Sequence, residues 1–239
     1  MNPDYYKAAE KGKIDIFKNI GKALNLILTP NRNTVLHVYL TALTNESELS
    51  PTNFVNEILK MCPSLLWQAN TKGETPLHIA SRYGHASNVQ LLIEHAESLQ
   101  EDVESGVNTM VKQMLEMPNK EKDTALHEAA RNNHLAVVKL LIEKGPEFSY
   151  SANDIGETPL YIAVERNFKE LVLEILQSCT SPAHGGPLGR TTLHAAVISD
   201  DEEGVAKFAL NVEDESVWLE DIPSPVRAVA HANAHIDVE

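Results

Sequence analysis

The sequence is poor in cysteine, in aromatic residues and in long apolar runs. Its 239 residues include 2 cysteines, Cys62 and Cys179, which lie far apart in unrelated contexts. This excludes a disulfide framework or a cysteine-rich metal cluster and favours free thiols in a reducing compartment. Aromatic residues make up 5%, so the core must consist mainly of Leu, Ile, Val and Ala. No run of 18 or more apolar residues occurs, and we therefore expect no segment of this sequence to span a bilayer.

Positive charge is also scarce. The 20 Lys and Arg residues stand against 34 Asp and Glu residues, a net charge of −14 at pH 7, which argues against nucleic acid as the main partner. Residues 200–239 hold 11 acidic and 2 basic residues, a net of −9, so the preceding 199 residues carry −5. The start of the chain lacks a basic region followed by an apolar stretch. No secretory signal is expected, and a cytoplasmic location is predicted.

A short motif built around threonine recurs along the chain. Its copies read NTVLH from Asn33, ETPLH from Glu74, DTALH from Asp123, ETPLY from Glu157 and RTTLH from Arg190. Successive threonines are 41, 49, 34 and 33 residues apart. The last two separations match the ankyrin repeat, which has a period of about 33 residues and the signature T-P-L-H-x-A. The two longer separations predict insertions.

Each complete copy continues in the way a helix–turn–helix repeat requires. A Gly or Asn suited to a left-handed helix end follows the first helix, in Gly84-His85, Asn133-His134 and Asn167-Phe168. An apolar-periodic second helix comes next, and YYKAAEKGKIDIFKNI at the N-terminus is a degenerate first copy with Tyr6 in the histidine position. The predicted fold is an all-α ankyrin-repeat solenoid over residues 1–199, in which β-turn or hairpin fingers join about six repeats and the first and last are degenerate.

The motif positions have structural roles. The threonine caps a helix, the proline fills the first helical position, the leucine enters the core and the histidine reaches the neighbouring turn. The residues assigned these roles are Thr34, His37, Thr75, Pro76, Leu77, His78, Thr124, Leu126, His127, Thr158, Pro159, Leu160, Thr191, Leu193 and His194. Because the histidines recur at one phase of the repeat, they form a ladder and do not converge on one atom, so we predict no metal site.

No catalytic motif is present. The glycine-rich HGGPLGR segment lacks the spacing of a phosphate-binding loop, and no nucleophile elbow or kinase signature occurs. We predict that the protein is not an enzyme and binds no cofactor. His231 and His235 could share a helical face, but a solvated tail is the preferred interpretation.

Two further segments fall outside the regular repeat. Near 98–118, Val107, Met110, Val111, Met114 and Leu115 follow helical spacing, which predicts an inserted or extended helix that packs on the solenoid. A partner-binding helix is the alternative. For residues 200–239 the sequence leaves open an acidic, partly disordered tail with Trp218 as an anchor, or a degenerate last repeat.

Over residues 2–198, stretches such as CPSLLWQANTKGETPLHIASRYGH and GRTTLHAAV resemble plant ankyrin-repeat membrane proteins of the accelerated-cell-death type. The resemblance implies an N-terminal ankyrin array, a C-terminal transmembrane domain with a Pro-Gly-Gly motif, a plasma-membrane location for the relatives, and a link to defence and stress signalling. After Val197 this sequence departs from that plan. We interpret it as a short form, a truncated product or a divergent gene model.

We therefore predict a non-catalytic module that binds a protein partner on its concave face in plant defence or stress signalling. The alternative is a truncated form that associates with full-length, membrane-anchored ankyrin relatives and regulates them. Partner choice is expected at charged and aromatic residues on otherwise fixed repeat positions: Lys72, Glu74, Arg82, Tyr83, Lys122, Asp123, Arg131, Asn132, Asp154, Glu157, Glu165, Arg166 and Arg190.

Overall fold

A computed structural model describes residues 1–44, 51–99, 109–146, 151–179, 183, 185–192 and 195. Within them the α-helices are α1 (Pro3–Glu10), α2 (Val35–Ala42), α3 (Pro51–Met61), α4 (Pro76–Arg82), α5 (Ala86–Ser98), α6 (Thr109–Glu116), α7 (Ala125–Arg131), α8 (Leu135–Lys144), α9 (Pro159–Glu165) and α10 (Lys169–Ser178). Short 3-10 helices cover Ile14–Ile16, Gly21–Leu26, Pro63–Leu66 and Pro187–Gly189.

The helices form two stacked layers. In the first layer each helix contacts the next one in the order α1, α2, α4, α7 and α9. In the second layer the order is α3, α5, α8 and α10. Helices α4, α7 and α9 each contact the longer second helix that follows, and the apolar side chains between the layers form one continuous core. This is the arrangement that a helix–turn–helix repeat predicts.

The repeated motif explains where the first helices begin. Thr34 and Thr158 accept hydrogen bonds from the backbone N–H groups of His37 and Tyr161, which satisfies donors that a helix start leaves free. A proline opens α4 and α9, where no hydrogen bond is lost. The motif leucine is buried in the four copies where the structure describes it, Leu36, Leu77, Leu126 and Leu160, and Ala80, Ala129 and Ala163 are fully buried. Their small side chains let neighbouring first helices approach closely.

The turn between the two helices of a repeat needs one left-handed residue. Gly84 takes this position after α4 with φ of 72°, and Asn133 and Asn167 take it after α7 and α9 with φ of 57°. Gly84 also lies against the His134 ring, since a Cβ placed on it would come 2.5 Å from Nδ1. The Gly and Asn residues therefore mark, in the sequence, the turn between the two helices of a repeat.

The first repeat differs from its expected form in its second half. Two 3-10 helices replace the α-helix that the alignment with later repeats predicts. Ile14, Phe17 and Ile20 recur every three residues, and this spacing matches the three residues per turn of a 3-10 helix. Phe17 is fully buried, and the two isoleucines pack beside it against the core.

The two long repeats contain the inserted structure. Helix α6 packs against α5 and buries Val111, Met114 and Leu115. In the other long repeat, α3 supplies the second helix. Val107, Leu193, His194 and the segment 200–239 lie outside the described residues.

Candidate functional site

The segments that precede the first helices form a row of fingers. We number the fingers 1 to 5, for residues 29–33, 70–74, 119–123, 153–157 and 185–190. In fingers 2 to 4 an asparagine side chain holds the turn: Oδ1 of Asn70, Asn119 and Asn153 accepts two backbone N–H groups each, at 2.8 to 3.2 Å. The asparagine in the sequence N-x-x-G/K-D/E is therefore the residue that shapes the finger.

Neighbouring fingers are joined by one backbone hydrogen bond each. The N–H of Thr71 donates to the carbonyl of Asn31, the N–H of Lys120 to that of Lys72, and the N–H of Asp154 to that of Glu121, each at 2.9 Å. These bonds align the tips of fingers 1 to 4 side by side. Residues far apart in sequence thus share one edge of the molecule.

The motif histidines connect each repeat to the finger that follows. Nε2 of His37 lies 2.8 Å from the carbonyl oxygen of Glu74, Nε2 of His78 lies 3.1 Å from that of Asp123, and Nε2 of His127 lies 3.2 Å from that of Glu157. In all three, Nδ1 accepts the backbone N–H of the threonine three residues earlier, at 3.1 to 3.3 Å. Nε2 must therefore carry the proton and donate it to the carbonyl.

Burial keeps these imidazoles neutral. His37, His78 and His127 are 1%, 1% and 0% exposed. Desolvation lowers the pKa of all three, and it lowers the pKa of His127 to about 4. A neutral imidazole that both donates and accepts is what the bridge between repeats requires, so these residues are structural links.

A second set of histidine bridges runs in the opposite direction. Nε2 of His85 contacts the carbonyl oxygen of Leu40 at 2.9 Å, and Nε2 of His134 contacts that of Arg82 at 2.9 Å. Both imidazoles lie at the start of a second helix and reach back to the preceding repeat. The equivalent residue before α10 is Phe168, which has no polar atom for this contact.

The repeat after the fourth finger contacts the fifth finger through a threonine hydroxyl and not through a histidine. Tyr161 occupies the histidine position in α9, and the Thr158 hydroxyl donates to the carbonyl of Gly185 at 3.0 Å. The same hydroxyl accepts the Tyr161 backbone N–H at 3.1 Å. One threonine thus caps the helix and joins fingers 4 and 5.

Two arginines join the first helices through buried carboxylates. The Arg82 guanidinium lies between Glu74 and Glu128, and its Nε is 2.9 Å from a Glu128 oxygen. The two carboxylate side chains are 5% and 4% exposed, and that of Arg82 is 27% exposed. The hydrogen bond with Glu128 raises the pKa of Arg82 further above its already high value. A buried carboxylate needs this pairing, since an unpaired charge there is costly.

Arg131 extends the same network into the next repeat. Its guanidinium binds both oxygens of Asp123 at 2.8 and 3.0 Å and approaches Glu157 at 3.4 Å. The Asn153 amide also donates to Asp123 at 2.8 Å. Burial raises the pKa of Asp123, but the hydrogen bonds from Arg131 and Asn153 lower it by more, so that it lies below its ordinary value. Asp123 is ionised at neutral pH.

An open cleft lies over this network. It has a volume of about 470 Å³ and is lined by Arg82, Glu121, Asp123, Glu128, Arg131, Asn153, Asp154, Ile155, Glu157 and Arg166. Its walls come from α4, α7, the end of α9 and fingers 3 and 4. Charges of both signs and one exposed isoleucine meet here, which is a surface suited to a mixed polar and apolar contact.

The structure divides the thirteen candidate partner-binding residues into two groups. Five form the ion-pair network: Glu74, Arg82, Asp123, Arg131 and Glu157. Eight are exposed: Lys72, Tyr83, Lys122, Asn132, Asp154, Glu165, Arg166 and Arg190. The exposed group lies at finger tips and at the ends of first helices. The network group lies beneath it, and Glu74 and Asp123 are only 4% and 2% exposed.

Sequence reasoning missed three residues of this surface. Ile155 and Leu188 project from the tips of fingers 4 and 5 and are 65% and 94% exposed. Their signal was available, because each precedes the glycine of its finger as Lys72 does. Glu128 is the third, since it is buried and accepts hydrogen bonds from Arg82. Nothing in the local sequence distinguishes it from an exposed helical glutamate.

Across the described residues no group of three His, Cys, Asp or Glu side chains is placed to hold a metal ion. In the same part of the chain no helix is both long enough and apolar enough to cross a membrane.

Comparison with protein families identifies the repeat. The ankyrin-repeat family model, with three copies, matches residues 53–154 and 99–184, which together cover more than half of the chain. The chain is an ankyrin-repeat protein. The predicted all-α ankyrin solenoid is confirmed, and the ankyrin-repeat domain is a protein-interaction module.

The relatives of this ankyrin-repeat protein include a plant protein. Protein ACCELERATED CELL DEATH 6 of Arabidopsis thaliana is 26% identical over 226 residues, which are 91% of this chain and 27% of the relative. The chain thus spans about a quarter of the length of that protein. Among solved structures, the ankyrin repeat domain of Bcl-3, a member of the IkappaB protein family, superposes with a TM-score of 0.65 at 21% identity. The superposition covers 90% of this chain and 88% of the Bcl-3 chain and supports the fold alone.

Proposed function

We propose that the protein binds a protein partner across the fingers and the ends of the first helices, and that the contact centres on the cleft over Arg131. The observation that carries this proposal is the cleft itself, where exposed Asp154, Ile155 and Arg166 surround a fixed floor of paired charges. Binding uses no covalent chemistry. The partner is held by shape, ion pairs and apolar contact.

The exposed residues and the ion-pair network have different roles in this proposal. The eight exposed residues contact the partner, and the five network residues hold the fingers and first helices in fixed positions. A rigid surface loses less conformational entropy on binding than a mobile one, which raises affinity. Changes to the exposed group should therefore weaken binding without loss of fold, whereas changes to the network should alter stability as well.

We place this binding in plant defence or stress signalling. The support is the similarity over 91% of the chain to an Arabidopsis protein whose name refers to accelerated cell death. The contact surface and the biological setting are separate parts of the proposal, and the experiment below tests the contact surface.

The test is affinity capture from plant extract with the full chain, followed by quantitative mass spectrometry. Two variants change the rim of the cleft, Asp154→Lys and Arg166→Glu. Among the described residues the Asp154 side chain forms an exposed ion pair with Lys122, with side chains 46% and 67% exposed, so its replacement should cost less than about 1 kcal/mol of stability. We expect the specific partners to fall at least about tenfold in abundance, which corresponds to 1.4 kcal/mol of binding.

A matched control places the same charge change on the other layer. Glu143 is exposed on α8, and Glu143→Lys should retain the partners at the level of the unaltered chain. Circular dichroism spectra of all variants should coincide. If both rim variants capture the same proteins as the control, the cleft is not the contact surface and the proposal fails.

A further inference from the structure

The finger tips form a basic edge on an acidic protein. Five exposed cationic residues lie on the fingers: Arg32, Lys72, Lys120, Lys122 and Arg190. Two exposed acidic residues, Glu121 and Asp154, lie among them, so the edge has a net charge of five minus two, or +3. The whole chain has a net charge of −14. The edge is therefore opposite in sign to the rest of the molecule.

Most of these cationic side chains form no ion pair in the described part of the chain. Lys122 pairs with Asp154 at 2.7 Å. Within the described ranges, Arg32, Lys72, Lys120 and Arg190 form no ion pair. The hydrogen bonds between fingers hold the first three of these residues in one row. A row of aligned, unpaired cations attracts an extended anionic segment more strongly than scattered cations do.

The row ends in two exposed apolar residues. Ile155 and Leu188 are the tip residues of fingers 4 and 5. The two fingers lie against each other, since a Cβ placed on Gly156 would come 3.2 Å from Cα of Pro187. We call the exposed side chains of Arg32, Lys72, Lys120, Lys122, Ile155, Leu188 and Arg190 the finger edge. Its chemistry is a basic row followed by an apolar pair.

We propose that residues 213–221 of the same chain, EDESVWLED, bind the finger edge. This segment has five carboxylates and no basic residue, and its centre is Val217, Trp218 and Leu219. The carboxylates complement the basic row, and the tryptophan complements the apolar pair. The inference rests on the proposed function, because a partner that binds at the fingers would have to displace this segment. The segment is thus an internal competitor for the binding surface.

The chain is long enough for this contact. Ala195 is the last described residue and lies five positions after the end of finger 5. Glu213 lies 18 positions after Ala195, and this stretch can span about 60 Å when extended, at about 3.3 Å per residue. Packed helices lie about 10 Å apart, so three repeats separate finger 5 from Lys72 by about 30 Å. A tether of this length gives an effective concentration on the order of millimolar, and this favours the chain's own segment over a separate acidic peptide.

Zero-length crosslinking of the full chain tests the contact. A carbodiimide joins a lysine amine to a carboxylate when the two form an ion pair. We expect Lys72, Lys120 and Lys122 to crosslink to carboxylates of residues 213–221 within the monomer, with a yield that dilution does not change. Lys60 on α3 is 59% exposed and lies off the edge, so it should give at most about a tenth of that yield.

Charge reversal provides the second arm. In Lys72→Glu/Lys120→Glu we expect the remaining crosslink at Lys122 to fall at least about fivefold, whereas the matched Lys60→Glu variant should leave it unchanged. Trp218 fluorescence, taken as the difference between the full chain and Trp218→Phe, should shift to longer wavelength in Ile155→Ser. The same shift should accompany the addition of about 1 M salt, which screens the ion pairs.

Two results would overturn the proposal. Crosslinks found only in dimers would mean that a second copy occupies the edge, and equal yields at Lys60 and at the edge lysines would mean that the segment has no preferred site. Neither result affects the affinity-capture experiment, which tests the contact surface independently. If partner abundance still depends on Asp154 and Arg166, the proposed function survives and only the internal competitor is lost.

Discussion

Protonation of His127 should destabilise the fold at mildly acidic pH. The imidazole is fully buried, accepts the Thr124 N–H at Nδ1 and donates to the Glu157 carbonyl through Nε2. Burial lowers its pKa from an ordinary value of 6.5 to about 4. As the pH falls below 6.5, the unfolded chain binds this proton before the folded chain does. The stability that the neutral imidazole provides is therefore present above pH 6.5 and is lost between pH 6.5 and pH 4.

The size of the effect follows from the pKa difference. Lowering of the His127 pKa from 6.5 to about 4 corresponds to about 3 kcal/mol when the site is fully titrated. Between pH 7.5 and pH 5.0 the same two pKa values give a loss of about 2 kcal/mol. The pH 5.0 limit avoids most of the titration of Glu74 and Asp123, whose pKa values lie below their ordinary ones despite burial. His37 and His78 add losses of the same sign.

Two substitutions distinguish the effect of protonation of His127 on stability from the effect of losing its hydrogen bond. His127→Gln keeps an N–H donor near the position of Nε2 but does not titrate in this range. His127→Leu removes the donor and leaves the Glu157 carbonyl without it, which should cost about 1 to 3 kcal/mol at every pH. The free energy of unfolding is measured by urea denaturation and circular dichroism at pH 7.5 and pH 5.0. Both variants should lose about 2 kcal/mol less than the unaltered chain between these pH values.

Imidazole nitrogen shifts measured by NMR give the pKa of His127 directly in the folded protein. If His127 titrates near 6.5 in that state, the argument from burial is wrong. The argument is also wrong if His127→Gln and the unaltered chain lose equal stability between pH 7.5 and pH 5.0. Either result would mean that the bridges between repeats tolerate a charged imidazole.

Three further substitutions test other parts of the framework by thermal or urea denaturation. Arg131→Met removes the partner of buried carboxylates and should cost about 3 kcal/mol; a cost below about 1 kcal/mol would show that water already screens the network. Thr158→Val removes one hydroxyl that makes two hydrogen bonds and should cost about 1 to 2 kcal/mol, and an unchanged midpoint would contradict its double role. In Gly84→Ala the added Cβ would lie 2.5 Å from the His134 ring, whereas in the control Gly189→Ala, at a similar φ of 74°, it would have no atom within 4 Å. Gly84→Ala should therefore destabilise the protein by at least about 1 kcal/mol more than Gly189→Ala. Equal effects would mean that the His134 ring moves aside freely.

The repeat could be predicted from the sequence because it rests on local rules. The threonine cap, the proline after it and the Gly or Asn at the helix junction each act within a few residues. Their spacing therefore predicts the helices α4, α7 and α9 and the place where each one begins. The inserted helix α6 follows from the same kind of pattern, since Val111, Met114 and Leu115 lie on one helical face and are buried.

The candidate surface was harder to predict because it depends on contacts between distant residues. Arg82 and Glu128 lie 46 positions apart, and no local pattern shows that one neutralises the other. Asp123 and Asp154 are both aspartates of the fingers, yet Asp123 is 2% exposed and Asp154 is exposed. The difference arises because Asp123 ends its finger and pairs with Arg131, while Asp154 lies in the turn of its finger and pairs with exposed Lys122.

The substitution of both histidines in the last complete repeat has a consequence for the order in which the solenoid comes apart. Every earlier junction from α2 to α7 is tied by an imidazole in each direction, one from the first helix and one from the start of the second. The repeat of α9 and α10 has Tyr161 and Phe168 at these positions. Its finger accepts the hydrogen bond from His127, but the repeat has no histidine at the start of its second helix to bond back to the preceding repeat. We expect amide hydrogen exchange and force spectroscopy to show that this repeat separates from α7 and α8 before the repeats of α2, α4 and α7 separate from one another. The repeats of α2, α4 and α7 would then stay together as one unit while the repeat of α9 and α10 opens, and this repeat is the one that precedes the acidic segment 213–221 most closely in the sequence.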